Sequence, residues 1–396
     1  MACRRCCEST SGALFEYDTS KLIHIRNQKI GFIYRLVQLV VIVYIIGYVI
    51  VLEKGYQETD TVLSSVTTKM KGVALVQEEG QETPNVWDVA DYVVPPEQTD
   101  AVFVTTNALV TRNQTRGVCP EDYNVAAGRC TVDSDCPADT PVPNGNGWRT
   151  GTCDLTTETC LVYAWCPVEN DSNSDTVPSL GNYPLNFTLL IKNNIQFEKF
   201  GFYKSNILNA TNSTFLQNCT YDSHDPLRRF CPIFRLDTML EEAKVDYNDI
   251  ALKGGVMGIF IKWECNLDYS SSNCRPQYEF KRLDNANSSV APGYSFRHAI
   301  NYVVDGVMHR QLTKAYGIRF QILVSGEAGK FSVVPLFLNI GSGIALLGIS
   351  TVLCDLLVLY VVKRRQYYRD NKYQMIEDEE SLLGFVEIKA SKKDED

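Results

Sequence analysis

Two long apolar segments near the ends of the chain restrict its fold more than any other feature of the sequence. The first covers residues 36–52 without a charged residue, and with the preceding residues from 31 it is 22 residues long. The second covers residues 333–362 and contains one charged residue, Asp355. A helix of about 20 residues crosses the hydrocarbon core of a bilayer, so both segments are predicted to be transmembrane helices.

Basic residues on the terminal side of both apolar segments predict how the chain crosses the membrane. Residues 1–30 are mostly polar with several Arg and Lys, and Lys363, Arg364 and Arg365 directly follow the second segment. Positive charge beside a span favours the cytosolic side, so both termini are predicted to be cytosolic. The predicted parts of this multi-pass plasma-membrane protein are a cytosolic N-terminus (1–30), transmembrane helices (31–52 and 333–362), an extracellular domain (53–332) and a cytosolic tail (363–396).

The segment between the two spans has the residues expected of an extracellular domain. Ten of the 14 cysteines lie there, an even number as disulfide pairing requires, and an oxidising compartment permits that pairing. They are Cys119, Cys130, Cys136, Cys153, Cys160, Cys166, Cys219, Cys231, Cys265 and Cys274. The same segment contains the Asn-x-Ser/Thr glycosylation acceptors Asn113, Asn170, Asn186, Asn209, Asn212, Asn218 and Asn287. Both signals agree with the predicted topology.

Alternating apolar and polar residues predict strands in this middle segment. Every second residue is apolar from Tyr316 to Val324 and from Met257 to Trp263, which is the period of a half-buried strand. Further strands are predicted at 101–111 and 186–192, whereas residues 113–167 hold six cysteines among turn-forming residues and are predicted to form a loop-rich lobe. The predicted fold class is a membrane protein with two transmembrane α-helices and a large, β-rich, disulfide-stapled extracellular domain.

Patterns of catalysis and of metal or nucleic-acid binding are not evident. The net charge of −9 argues against a nucleic-acid partner, and the four histidines lack the spacing of a zinc hydrolase. Gly326-Glu-Ala-Gly-Lys330 is one residue short of a phosphate loop and precedes the second span, so we interpret it as a turn. We predict no enzyme activity, no catalytic residue, no metal site and no cofactor.

One pair of cations is a candidate site for an anion. Lys69 and Lys71 are two residues apart and would project from the same face of a strand, where one polyanion could bridge them. Taken alone, the pair is better explained as a solvated strand face.

Short motifs spread through most of the chain favour an anion-binding role for Lys69 and Lys71. From about Phe15 to Tyr373 they are Phe15-Glu-Tyr-Asp-Thr19, Glu53-Lys-Gly-Tyr-Gln57, Lys69-Met-Lys71-Gly, Trp87-Asp-Val-Ala-Asp-Tyr92, Asn186-Phe-Thr188, Cys231-Pro-Ile-Phe-Arg235, Lys314-Ala-Tyr-Gly-Ile-Arg-Phe320, and Gly341-Ser-Gly343 leading to Asp355. Together they resemble the P2X receptor family, the trimeric cation channels opened by extracellular ATP. The resemblance implies a homotrimer, or a heterotrimer with related subunits, a non-selective pore for Na⁺, K⁺ and Ca²⁺, and ATP as agonist rather than cofactor.

The resemblance also implies roles for individual residues. The phosphate-binding cations are Lys69, Lys71, Arg297 and Lys314, the adenine-binding position is Thr188, and apolar contacts to base or ribose are Leu190, Leu216 and Ile233. Ser295 stands where the family usually has Asn in an Asn-Phe-Arg motif, which predicts a weaker phosphate contact. The implied disulfides are Cys119–Cys166, Cys130–Cys153, Cys136–Cys160, Cys219–Cys231 and Cys265–Cys274.

The second span contains small and polar residues that suit either a pore wall or close helix contact. By resemblance Leu338 and Ser342 lie at the constriction, and Asn339 belongs to the same pore-lining set. Gly341-x-x-x-Ala345 fits helix packing equally well. For Asp355, a polar contact with the first helix or a carboxylate that reaches to the membrane surface is slightly favoured over a role in attracting cations to the pore exit.

An ecto-nucleotidase with two membrane anchors is the main alternative, because such enzymes also bind ATP and have a glycosylated, disulfide-rich middle segment. Their chemistry needs glycine-rich phosphate loops and acidic metal ligands, which are not evident in this sequence.

Overall fold

The computed structural model describes residues 28–77, 83–96, 98–170, 178–207, 216, 218–285, 292–363 and 365–367. The chain divides into two compact units, of which one contains the described residues up to Glu58 and from Phe331, and the other contains Thr59–Lys330. Nearly all of the predicted cytosolic N-terminus and most of the predicted tail lie outside the described residues.

The secondary structure consists mainly of strands between two long helices. The helices are α1 (Gln28–Val43), α2 (Val89–Tyr92), α3 (Leu236–Glu242), α4 (Tyr247–Ala251) and α5 (Val333–Leu356). The strands are β1 (Gln57–Thr61), β2 (Leu63–Lys71), β3 (Ala74–Val76), β4 (Asn85–Trp87), β5 (Ala101–Pro120), β6 (Trp148–Asp154), β7 (Thr159–Cys166), β8 (Thr188–Phe197), β9 (Phe202–Ser205), β10 (Ile233–Arg235), β11 (Gly255–Asn266), β12 (Pro276–Arg282), β13 (Ser295–Val304) and β14 (Val307–Phe331). Short 3-10 helices lie at Ala126–Gly128, Asp133–Asp135, Tyr183–Asn186, Arg228–Phe230 and Ser271–Asn273.

In the first unit, α1 and α5 are the two helices predicted from the apolar segments. π-Helical residues extend α1 through Tyr44–Leu52 and α5 through Leu357–Val361. Each extended helix is long and apolar enough to cross a membrane. Their contact is close at Gly343, where a Cβ would lie 2.9 Å from Cδ1 of Ile45, whereas no atom lies within 4 Å of a Cβ built at Gly341. The close helix contact within this chain therefore belongs to Gly343 and not to the predicted Gly341 motif.

The second unit contains two main sheets. The larger has the strand order β12-β11-β14-β5-β7-β6, with β13 also paired to β14, and the smaller has the order β10-β8-β2, with β9 paired to β8. All of these pairs are antiparallel except β11 with β14, which run parallel from Gly255 and Ile318 onward. β14 therefore lies between β5 and β13 in its first half, and between β5 and β11 only at Ile318–Gln321.

Alternating burial along the strands produces the core between these sheets. In β8, Leu189, Ile191, Asn193 and Ile195 are buried, while the residues that alternate with them are at least partly exposed. The fully buried Trp263 of β11 donates from Nε1 to Oδ1 of Asn193 in β8 at 2.8 Å. A buried indole N–H costs free energy unless it finds such an acceptor, so this bond ties the larger sheet to the smaller one.

The predicted strands are present in the second unit, but one predicted turn is wrong. β14 and β11 contain the two alternating segments, and β5 and β8 cover most of the other two predictions. Residues 326–330 continue β14 instead of turning, because Gly326 and Gly329 pair with Trp263 and Asn266 of β11. A Cβ at Gly326 would lie 2.6 Å from the carbonyl oxygen of Trp263, so the glycine permits this close pairing.

Within the described residues the structure contains five disulfides, which are the five pairs implied by the resemblance. They are Cys119–Cys166, Cys130–Cys153, Cys136–Cys160, Cys219–Cys231 and Cys265–Cys274. The first three hold the lobe at 113–167, which includes β6, β7 and the end of β5 and is therefore less loop-rich than predicted. Sulfur atoms of Cys130, Cys136 and Cys153 lie close enough together to resemble metal ligands, but as disulfide sulfurs they cannot supply thiolates.

Candidate functional site

A first group of candidate residues lies on the outer face of the smaller sheet. Lys69 and Lys71 of β2 are paired with Leu190 and Thr188 of β8, and Leu190 is in turn paired with Ile233 of β10. Met70 lies between the two lysines and is buried, so the lysines project from the opposite, exposed face. The pairing register therefore places all five candidates on adjacent positions of one surface.

This surface is positively charged. Lys69 and Lys71 are exposed, and among the described residues no carboxylate lies within 4.0 Å of either ammonium group. Lys192, two residues beyond Leu190 on β8, adds a third exposed lysine to the same face. Sequence reasoning missed Lys192, although its position four residues after Thr188 in a predicted strand would have placed it there. We name Lys69, Lys71, Thr188, Leu190, Lys192 and Ile233 the lysine face.

A second group of candidates lies on the larger sheet. Arg297 of β13 is paired directly with Lys314 of β14, so the two cations are neighbours across one strand boundary. Arg297 donates from Nε and Nη2 to the two carboxylate oxygens of Glu169 at 2.6 and 2.9 Å. Nζ of Lys314 lies 3.5 Å from Oε1 of the same carboxylate. We name Arg297, Lys314 and Glu169 the arginine clamp.

The arginine clamp holds one carboxylate oxygen pair with two cations that differ in exposure. The side chains of Lys314 and Glu169 are 9% and 8% exposed, whereas that of Arg297 is 53% exposed and accessible from solvent. The bidentate contact of Arg297 with a carboxylate has the geometry that a guanidinium also uses for phosphate. Glu169 thus occupies the position that a phosphate group could take.

Sequence reasoning missed Glu169 entirely. It lies 128 residues before Arg297, just after the last strand of the cysteine-rich lobe, and no local pattern marks it. Only the pairing of β7 with β5, and of β5 with β14, brings it to the two cations.

The structure gives fewer contacts for the two remaining nucleotide-binding candidates, Ser295 and Leu216. Ser295 is exposed at the start of β13, two residues from Arg297, and is paired with Tyr316. Leu216 is described, but residues 208–215 and 217 beside it are not, so its contact with a nucleotide stays a prediction. The lysine face and the arginine clamp lie on different sheets, and each contains only part of the predicted cation set.

The pore candidates lie in the first part of α5. Leu338 is 68% exposed in the single chain. Ser342 donates from Oγ to the carbonyl oxygen of Asn339 at 2.9 Å, and Nδ2 of Asn339 donates to the carbonyl oxygen of Gly55 at 2.6 Å. In this chain Asn339 therefore bonds to the segment that follows the first helix. The pore roles of all three residues stay predictions.

The described glycosylation acceptors lie on the surface of the second unit. Asn113, Asn170, Asn186 and Asn218 are exposed, and Oδ1 of Asn113 accepts a hydrogen bond from the hydroxyl of Tyr302 at 2.7 Å. The acceptors Asn209, Asn212 and Asn287 lie outside the described residues.

The sequence is similar to known receptors over nearly its whole length. Residues 15–375 match the family described as ATP P2X receptor. The chain is 49% identical to P2X purinoceptor 4 of Bos taurus over 386 residues, which are 96% of this chain and 98% of that protein. It is 44% identical to P2X purinoceptor 5 of Homo sapiens over 400 residues, which are 96% of this chain and 88% of that protein.

Two solved structures share the fold. The crystal structure of an invertebrate P2X receptor from the Gulf Coast tick, in the presence of ATP and Zn²⁺, matches with a TM-score of 0.75 and 42% identity over 82% of this chain and all of that chain. The crystal structure of the chicken ATP-gated P2X7 receptor channel with the competitive antagonist TNP-ATP matches with a TM-score of 0.72 and 36% identity over 83% of this chain and 99% of that chain. With the family match across most of its length, the chain belongs to the ATP P2X receptor family.

Proposed function

We propose that this chain is one subunit of a trimeric, extracellular ATP-gated cation channel of the plasma membrane. The observation that carries this proposal is the arginine clamp, in which two neighbouring cations hold a carboxylate in the geometry expected for phosphate. Family membership and the ATP-gated relatives support it. The alternative of an ecto-nucleotidase is not favoured by the family match.

ATP binds between two subunits in this proposal. The lysine face of one subunit and the arginine clamp of its neighbour close on the triphosphate, which carries several negative charges and needs several cations. Phosphate oxygens replace Glu169 as partners of Arg297 and Lys314. Thr188 contacts the adenine, and Leu190, Ile233 and Leu216 contact the base or ribose.

Channel opening depends on two arrangements of these cations. In the open arrangement the lysine face and the neighbouring arginine clamp are apart, and in the closed arrangement they are together around the ligand. ATP binds the closed arrangement better because only there do both groups of cations reach it, so ATP shifts the equilibrium towards that state. β14 carries Lys314 and ends at Phe331, and α5 begins at Val333. Movement at the ligand is thus passed along one continuous chain segment to the helix that carries Leu338, Asn339 and Ser342. Na⁺, K⁺ and Ca²⁺ pass through a pore lined by three copies of α5.

The proposal is tested by measuring membrane current and phosphate release from the same cells during exposure to ATP. Cells that express the chain are expected to show an ATP-evoked cation current without phosphate release above that of untransfected cells. Phosphate release without current would instead establish the ecto-nucleotidase alternative.

Substitution of Ser295 by Asn is expected to increase ATP sensitivity. Asn reaches further than Ser and adds an amide donor for a phosphate oxygen, and one added hydrogen bond lowers the half-maximal ATP concentration by about threefold to tenfold. Dose–response recordings of Ser295→Asn check this, with Ser295→Ala as the control that adds no donor. An unchanged or higher half-maximal concentration in Ser295→Asn would contradict the expected contact.

Substitution of Asp355 by Asn is expected to reduce surface expression more than it changes ion selectivity. Asp355 is the single acid in the second span, where a polar contact stabilises helix assembly. Surface biotinylation and reversal potentials in exchanged Na⁺ and Ca²⁺ solutions measure the two effects. Thr351→Val, one turn earlier in α5, is the control. A large reversal-potential shift with normal surface expression would assign Asp355 to the pore exit.

A further inference from the structure

Gln114 is a buried amide at the point where β5 meets the end of β7. It is 1% exposed. Its Nε2 donates to the carbonyl oxygens of Pro167 at 2.7 Å and Trp165 at 3.4 Å, and its Oε1 accepts from Nε of Arg310 at 2.7 Å. Both ends of the amide are therefore bonded, one to the end of the cysteine-rich lobe and the other to β14.

The segment Pro167–Glu169 has few other attachments. The pairing of β7 with β5 ends at Cys166 and Thr115. Within the described part of the chain, residues 167–169 make no backbone-to-backbone hydrogen bond. Two side-chain interactions hold the segment, namely the bond from Gln114 at its beginning and the ion pairs of Glu169 at its end. The preceding Cys166 is fixed by its pairing with Thr115 and its disulfide to Cys119, so loss of either side-chain anchor loosens residues 167–169 only.

Arg310 links the same amide to the strand of the arginine clamp. Gln114 and Arg310 are directly paired across β5 and β14, and Arg310 lies four residues before Lys314. The guanidinium carbon of Arg310 lies 4.7 Å from the centroid of Trp165, and that of Arg116 lies 5.0 Å from it. Burial lowers the pKa of Arg310, and the charge of Glu169 opposes that shift. Gln114 therefore adds to the ladder between β5 and β7 in fixing the position of residues 165–169 relative to β14.

We infer that Gln114 is a positioning residue for the response to ATP, because it holds the 165–169 segment where Glu169 reaches Arg297 and Lys314 in the resting channel. This inference rests on the proposed function. Without the amide, the carbonyl oxygen of Pro167 loses its donor and the segment can move away from the clamp. Glu169 then competes less well with ATP for the two cations.

A double-mutant cycle between Gln114→Met and Glu169→Gln tests this inference. Met has nearly the length of Gln but neither donates nor accepts as an amide does. Gln114→Met alone is expected to lower the half-maximal ATP concentration about fivefold, and in the Glu169→Gln background it is expected to change it less than about twofold, because residues in one network are not additive. An equal shift in both backgrounds would overturn the inference and leave Gln114 with a structural role only.

Asn107→Leu is the matched control for loss of a buried amide on β5. Asn107 is 3% exposed, and its Oδ1 accepts a hydrogen bond from Oγ of Ser179 at 2.6 Å, away from the 165–169 segment. Any shift in ATP sensitivity caused by Asn107→Leu is expected to be the same with and without Glu169→Gln. If the shift caused by Asn107→Leu depended on Glu169 as strongly as the shift caused by Gln114→Met, the coupling between Gln114 and Glu169 would not be specific. That result would also overturn the inference.

Thermal unfolding of the purified, ATP-free trimer separates this inference from the proposed function. The decrease in Tm caused by Gln114→Met is expected to be smaller in the Glu169→Gln background, and additive decreases would contradict positioning. The Tm decreases of the two substitutions could be coupled while the wild-type protein shows no ATP-evoked current. That result would refute the proposed function and leave the positioning of Glu169 supported. If Gln114→Met does not reach the cell surface, Gln114→Asn, shorter by one methylene, takes its place in both measurements.

Discussion

Replacement of Lys314 by Gln is expected to raise the half-maximal ATP concentration by about 100-fold, because the loss of a buried, charge-paired ammonium costs about 3 kcal/mol of binding. The side chain of Lys314 is 9% exposed, and the residue is paired with Arg297 on the neighbouring strand. Little water reaches its ammonium group, so its attraction for a phosphate is weakly screened. Gln preserves most of the side-chain length but not the charge.

Whole-cell dose–response curves, normalised by surface biotinylation of the assembled trimer, measure this effect. Lys253→Gln is the matched control, since Lys253 is exposed and lies outside both the lysine face and the arginine clamp. We expect its dose–response curve to match that of the wild type. A Lys314→Gln channel with normal surface expression and a half-maximal concentration within threefold of the wild type would exclude Lys314 from the ATP site.

Replacement of Glu169 by Gln is expected to lower the half-maximal ATP concentration by about tenfold, the opposite direction from Lys314→Gln. The substitution removes the carboxylate that holds Arg297 at 2.6 and 2.9 Å and Lys314 at 3.5 Å. The resting state then loses the Glu169 carboxylate beside Arg297 and the buried Lys314, whereas phosphate supplies negative charge there in the bound state. Destabilising the resting state alone favours the bound state.

The same variant is expected to have a lower Tm without ATP and a larger increase in Tm when ATP is added. Glu279→Gln is the matched control, because Glu279 also bridges two cations, Lys262 at 3.0 Å and Lys281 at 2.6 Å, but is far more exposed. It is expected to leave ATP sensitivity unchanged, as exposed ion pairs contribute little. A rise in the half-maximal ATP concentration of Glu169→Gln would mean that Glu169 assists binding instead of competing with it.

Local sequence patterns predict those parts of this chain whose structure is determined locally. The apolar runs predict α1 and α5, and alternation predicts β11 and β14, because the period of the pattern matches the period of the element. The same reasoning places Lys69 and Lys71 on one face of a strand, which the register with β8 reproduces.

Features that depend on distant pairing are not visible in the sequence. The segment from Gly326 to Lys330 lacks apolar alternation, and its extended structure comes from β11, which pairs with it. Glu169 has no neighbouring motif, and its role depends on a fold that brings it beside Arg297 and Lys314. The division of the candidate residues between two sheets likewise follows from the order of the strands. The spacing of residues in the sequence does not predict that order.

The long strand β14 has a mechanical consequence. From Lys314 to Phe331 it contains 18 residues, whose 17 steps span roughly 56 Å if fully extended, and its ladders with β5 and β11 resist elongation. A displacement at one end of such a stiff element is conserved at the other end instead of being absorbed as stretch. Ser332 alone separates the strand from α5, and its backbone N–H donates to the carbonyl oxygen of Tyr56 at 3.1 Å, so in the proposed channel we expect a displacement of the strand to reach the pore helix through that one residue.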